Sequence, residues 1–92
     1  MSRLSKFMAQ PLKAEIDGET FDIHPLTVQD IGLFTMMEDK SMRAEALKRI
    51  FVITMKRAVP DATDEEINVI TIKAMKQIME KILEANGLKD AA

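Results

Sequence analysis

The chain has 92 residues, 47% of them apolar, and a formal net charge of −2. This length suits one compact domain and is too short for two. Cysteine is absent, which excludes disulfides, thiolate metal sites and cysteine nucleophiles and fits a reducing cytoplasm. No apolar run approaches the roughly 18 residues that a membrane span needs.

Charge and methionine are distributed unevenly. Residues 40–59 carry six basic and one acidic side chain, whereas the segments on either side of them are acidic. Pairing between oppositely charged elements is the simplest explanation. The eight methionines either fill gaps in a core or line a surface that accommodates a partner.

The chain is predicted to consist of an arm, one domain and a tail. Residues 1–11 are basic, with scattered apolar side chains and no signal-peptide apolar region, so we expect a flexible N-terminal arm. Leu4, Phe7 and Met8 would share one face of this arm if a partner ordered it. Residues 12–88 form the predicted domain, and residues 89–92 a flexible C-terminal tail.

A β-hairpin is predicted at the start of the domain. Apolar and polar residues alternate on both sides of Asp17-Gly18. This pair favours a type I′ turn, because the central residues of that turn have positive φ. An isolated hairpin is marginally stable in water. The apolar faces of the hairpin, formed by Leu12, Ala14 and Ile16 and by Phe21 and Ile23, must therefore rest on helices.

The first two helices follow Pro25. Helix one is predicted over residues 28 to 37 or 38, with Thr27 as N-cap and Asp30 in its electropositive first turn. Ile31 and Phe34 are predicted to face the core, with Met37 or Leu33 as a further candidate. Helix two is predicted to follow Ser41 as N-cap and to end at Ala58, before Pro60. Its predicted core stripe is Ala44, Leu47, Ile50, Phe51, Thr54, Met55 and Ala58.

Helix three is predicted to start at the capping box formed by Thr63 and Glu66 and to reach Ala85, before Asn86-Gly87. Its apolar arc covers more than half of the circumference. Either the helix is sandwiched between the hairpin and its neighbours, or part of the arc meets another chain. The predicted fold class is therefore α+β, mainly α, with an N-terminal β-hairpin packed on a three-helix bundle. The main face of helix three is Ile67, Ile70, Thr71, Ala74, Ile78 and Ile82.

No catalytic constellation is apparent, so the chain is predicted not to be an enzyme and to bind no metal or cofactor. His24 is the only histidine, and with Asp22 it offers too few ligands for a metal. The carboxylates of residues 64–66 suit the first turn of a helix better than a pair of acid and base catalysts. Three scattered glycines cannot form a phosphate-binding loop.

A small DNA-binding regulator is the alternative from another class. Three helices with a hairpin could form a winged helix-turn-helix, and helix two is basic. However, helix two is too apolar for reading base edges, and helix three is rich in carboxylates. A steep salt dependence of duplex binding would favour this alternative.

Three stretches of sequence carry a resemblance to a known family. They are DGETFDIHPLTVQD at residues 17–30, PDATDEEI at residues 60–67 and ANGL at residues 85–88. In this order they resemble the small tail assembly chaperones of long-tailed phages and related proviruses. Those proteins show a short strand pair, an "xIxPLTxxD" stretch before the helices, and an amphipathic helical remainder. The resemblance covers about residues 12–88.

The resemblance implies binding without catalysis. Such chaperones bind the tape-measure protein, with tail-tube subunits as a further candidate, in the host cytoplasm during tail assembly. They keep long apolar helices soluble and are typically absent from the finished particle. Many are also made in a longer form by ribosomal slippage. Neither a nucleic acid nor a membrane is an implied partner.

The candidate contacts for a helical client are apolar residues near or outside the predicted core stripes, among them methionines. Homo-oligomerisation through the same surface is expected. Replacing Ile72 and Met79 with Glu is expected to preserve the fold and abolish client binding. A generic helical adaptor, or a subunit that stays in a larger assembly, is the other alternative. The candidate contacts are Met36, Met37, Val52, Ile53, Val69, Ile72, Met79 and Leu83.

Overall fold

The computed structural model describes residues 3–88 and confirms the α+β, mainly α class, with an N-terminal hairpin packed on helices. The predicted tail at residues 89–92 lies outside the described residues, as do residues 1 and 2 of the arm. The described elements are a 3-10 helix at Arg3–Phe7, β1 (Leu12–Ile16), β2 (Glu19–Ile23), a 3-10 turn at Val28–Asp30, α1 (Ile31–Glu38), α2 (Arg43–Ala58), α3 (Asp64–Asn68) and α4 (Ile72–Ala85).

The hairpin forms as predicted. β1 and β2 pair antiparallel, with Ala14 opposite Phe21. Asp17 and Gly18 have φ values of 51° and 83°, as a type I′ turn requires. Ala14 and Ile23 are buried, because β1 packs against α4 and β2 packs against both α2 and α4.

The core lies where the hairpin meets α2, α3 and α4. Helix α1 contributes no fully buried side chain and rests on the core only through half-buried residues, including Leu33 and Met37. Ile31, which the sequence placed in the core, is exposed, since the 3-10 turn before α1 changes the phase of the helix. The buried cluster is Ala14, Ile23, Ile50, Phe51, Met55, Ile67, Ile78 and Ile82.

The start of α2 differs from the prediction. Met42, not Ser41, is the N-cap. The amide and hydroxyl of Ser41 instead donate to the Asp39 carboxylate at 2.9 and 2.8 Å, which lowers the pKa of Asp39. Such a local turn competes with helix formation. The buried stripe of α2 includes Ala46, and Ala44 of the predicted stripe is exposed.

The predicted third helix is two helices. Thr63 and Glu66 form the predicted capping box at the start of α3. The helix then breaks over residues 69–71, and the Thr71 hydroxyl accepts from the Ala74 amide at 3.1 Å to cap α4. Thr71 is therefore an exposed cap, not a core residue. The β-branched residues at 69–72 lower helix propensity, and a threonine cap offers the backbone a new start.

A buried ion pair joins the turn before α1 to the end of α2. The Asp30 carboxylate is only 8% exposed. It accepts from Arg57 Nη1 at 2.9 Å and Nη2 at 3.0 Å, and from the Thr27 amide at 3.0 Å. These hydrogen bonds, with the Arg57 guanidinium as the largest cause, lower the pKa of Asp30 to about 2 although burial acts to raise it. The short turn at residues 28–30 thus depends on a distant partner.

Asp30→Asn tests this ion pair. We expect the free energy of unfolding at pH 7 to fall by about 2 kcal/mol, because the carboxylate is lost and Arg57 loses its anionic partner. The folded pKa of Asp30 lies below the ordinary value of 3.8. Its stabilisation is therefore complete above that value and is lost as pH falls towards 2.

Urea unfolding at a series of pH values measures the effect. The wild type should lose more stability than Asp30→Asn between pH 4 and pH 2, and Asp61→Asn, at an exposed carboxylate, should follow the wild type. Equal acid dependence of the wild type and Asp30→Asn would contradict the role of the ion pair.

Thr54→Val tests a buried polar atom in α2. Thr54 is fully buried, and its hydroxyl oxygen has no hydrogen-bond partner within residues 3–88. Valine has nearly the same shape without the hydroxyl, so we expect the free energy of unfolding to rise by about 1 kcal/mol. Urea unfolding measures this. The control is Thr35→Val, at an exposed position where the hydroxyl donates to the Ile31 carbonyl at 3.2 Å. A destabilised Thr54→Val would show that the hydroxyl has a partner in solution.

Candidate functional site

The eight predicted contact residues do not form one surface. Met37 and Leu83 line a groove of about 600 Å³ between α1 and α4, together with Phe34, Leu47 and Leu88. Val52 and Ile53 line a second groove on α2. Their role in binding stays a prediction, and the structure divides them among separate places.

The other four predicted contacts differ in exposure. Val69 and Ile72 are 79% and 64% exposed at the break between α3 and α4. Met79 is half-buried against the core, and Met36 is half-buried on α1 without lining any of the grooves described here. Val69 and Ile72 are therefore accessible to a partner, whereas Met79 also contributes to the fold.

The largest groove described lies beside the N-terminal arm, and we call it the arm groove. It has a volume of about 900 Å³. The arm forms one side, and the turn between β2 and α1, Phe34 of α1 and the end of α4 form the rest. Its lining residues are Phe7, Met8, Ala9, Gln10, Pro25, Leu26, Thr27, Val28, Gln29, Phe34, Ala85 and Asn86.

One long-range hydrogen bond and one local hydrogen bond shape the arm groove. The Leu26 amide donates to Asn86 Oδ1 at 2.7 Å, and Asn86 Nδ2 donates to the Ile82 carbonyl at 2.8 Å. These bonds fix the chain after β2 against the end of α4. Two of the stretches that carry the family resemblance, residues 17–30 and 85–88, therefore meet at this groove.

The arm groove presents large apolar side chains to solvent. Val28 is 84% exposed and Phe7 is 74% exposed, and Met8 is exposed beside them. Burying a side chain of this size is worth about 1.5–3 kcal/mol, so a partner that covers the groove gains substantial binding energy. Exposed apolar surface of this kind is typical of an interaction site.

Sequence reasoning missed the arm groove. The shared apolar face of Leu4, Phe7 and Met8 is the one feature of the sequence that points to this groove. Phe34, which is predicted to face the core, is half-buried and lines the groove. Nothing in the local pattern placed the arm next to Val28 or Asn86, because these residues are far apart in the chain.

Three of the carboxylates considered in the sequence analysis have partners within the fold. Asp22 lies 3.1 Å from the Lys13 ammonium on the outer face of the hairpin. Asp64 pairs with Lys56, and Glu66 caps α3. Within residues 3–88, no three His, Cys, Asp or Glu side chains are grouped so that they could hold a metal ion. No helix in that range is long and apolar enough to cross a membrane.

No model of a known protein family matches the chain, and no curated protein or solved structure matches it either.

Separate Glu substitutions at Ile72 and Met79 test the division of the predicted contacts. Ile72→Glu should change the free energy of unfolding by no more than about 0.5 kcal/mol, because the side chain is mostly exposed. Met79→Glu should lower it by about 2 kcal/mol, since a carboxylate would replace an apolar contact with the core. Thermal unfolding followed by circular dichroism measures both. Equal destabilisation would show that Ile72 is packed in solution.

Proposed function

We propose that the chain is a non-catalytic tail assembly chaperone of a phage or provirus, which binds the tape-measure protein in the host cytoplasm. The observation that supports this most strongly is the arm groove. Residues from two of the stretches that resemble the chaperone family line it, and they do so beside large exposed apolar side chains. Two stretches that are far apart in the sequence thus lie side by side at one accessible surface.

The physical character of the arm groove suits a helical client. A client helix presents apolar side chains every three or four residues, and a groove lined by Phe7, Met8 and Val28 can bury them. The flexible methionine side chain adapts to varied partner side chains. This adaptability fits a chaperone that must bind many similar segments of one long protein.

Two further exposed apolar residues extend the proposal. Val69 and Ile72 lie at the break between α3 and α4, away from the core contacts of α4. They offer a second contact for a tail-tube subunit or for another copy of the chain. The family resemblance implies that such a chaperone leaves before the particle is complete.

Affinity capture from the producing cell tests the function. Tagged wild-type chain should recover a very long, helix-rich tail protein, and Val28→Glu should reduce that recovery about tenfold, because a carboxylate would enter an apolar contact. Ile31→Glu is the matched control, because Ile31 is 63% exposed, does not line the arm groove and is not one of the candidate contacts. Circular dichroism should show unchanged helix content in both variants.

Three outcomes would contradict the proposal. Undiminished capture by Val28→Glu would exclude the arm groove as the client site. Capture of nucleic acid, with steep salt dependence, would support the DNA-binding alternative. Recovery of the chain in the purified, finished particle would identify it as a permanent subunit.

A further inference from the structure

A second groove follows one side of α2, and we call it the α2 groove. It has a volume of about 420 Å³. Six of its seven lining residues lie on α2 at intervals of three or four, so they form one stripe over three turns, about 16 Å long. The lining residues are Leu33, Glu45, Lys48, Arg49, Val52, Ile53 and Lys56.

The floor of the α2 groove is apolar and continuous with the core. Val52 and Ile53 are half-buried on α2, and Leu33 of α1 closes one side. Leu33 and Val52 also pack against the buried cluster. The floor is therefore a rigid apolar surface that a partner side chain can cover.

The rim of the α2 groove carries three cations, from Lys48, Arg49 and Lys56, and one carboxylate, from Glu45, so it is basic on balance. Lys48 has no carboxylate within ion-pair distance among residues 3–88. Arg49 lies 3.7 Å from Glu45, and both side chains are largely exposed. Lys56 pairs with Asp64, and this pair is also exposed. Exposed ion pairs are worth little, so an incoming carboxylate can compete for these cations.

We propose that the α2 groove binds an amphipathic client helix whose apolar stripe is bordered by Asp and Glu residues. This inference rests on the proposed function, because it names the chemistry of the client segment. Apolar side chains with cations beside them are complementary to an apolar stripe that has carboxylates beside it. Three turns of helix match the length of the groove.

Charge and lining chemistry disfavour the other occupants. The arm of a second copy carries Arg3 and Lys6 beside its apolar residues, so it would bring like charges to the basic rim. A nucleic acid would leave Val52 and Ile53 facing a phosphate backbone, and no aromatic side chain in the groove is available for stacking.

Two labelled peptides of about 18 residues, long enough to form a helix, are the probes. They share one leucine stripe, which is bordered by Glu in one peptide and by Lys in the other. Fluorescence anisotropy with the full chain measures both affinities. We expect about tenfold tighter binding of the Glu-bordered peptide, although the net charge of −2 on the whole chain would favour the other.

Variants locate the binding. The double variant Lys48→Glu with Arg49→Glu should reverse the preference between the peptides, and Ile53→Ser should weaken both. Lys73→Glu with Lys76→Glu is the control, since it makes the same change of net charge at exposed α4 positions outside the groove. This control should retain the wild-type preference.

Several results would overturn the inference. The two peptides could bind equally or not at all, or the α4 control could change the peptide preference as much as the Lys48 and Arg49 variant does. A short DNA duplex could bind more tightly than either peptide, or the wild-type chain could form a dimer that dissociates when Ile53 is replaced by Ser.

Affinity capture separates this inference from the proposed function. Client capture that is lost in Val28→Glu but unchanged in the Lys48 and Arg49 variant would contradict only the inference. Selective peptide binding without capture of any helical tail protein would contradict only the proposed function.

Discussion

The ion pair between Asp30 and Arg57 is the interaction on which the arrangement of both grooves depends. Helix α1 has no fully buried side chain, so its position relies on half-buried contacts and on this anchored turn. The turn supplies Val28 to the arm groove, and α1 supplies Leu33 to the α2 groove. Arg57 directly follows Lys56, which lines the α2 groove. One buried carboxylate thus links the two candidate binding surfaces.

Local chemistry in the sequence was sufficient to predict the hairpin and most helix ends. Asp17-Gly18 defines its own turn, and the capping box at Thr63 defines the start of α3. The interactions that organise the domain are long-range and have no local signal. Asp30 and Arg57 are 27 positions apart, and Leu26 and Asn86 are 60 apart. The break at residues 69–71 was not predicted, because the apolar periodicity of the sequence continues through it.

The candidate site was harder to predict than the fold for a related reason. Most of the predicted contacts lie away from the main apolar stripe of their helix, which predicts exposure. A helix in a small domain can, however, be packed on two sides. Met79 therefore rests on the core, while Val69 is exposed where the helix breaks. The arm groove needs the arm, the turn before α1 and the end of α4 together. Only the folded chain brings these three segments together.

The central claim is that the arm groove holds a client helix in the cell. A photoreactive amino acid in place of Val28, irradiated in the producing cell, tests it most directly. Val28 is exposed and lines the groove, so its replacement reports contacts there without disturbing the core. We expect a cross-link to a very long, helix-rich tail protein, identified by mass spectrometry. Cross-links only to unrelated proteins, to nucleic acid or to other copies of the chain would contradict it.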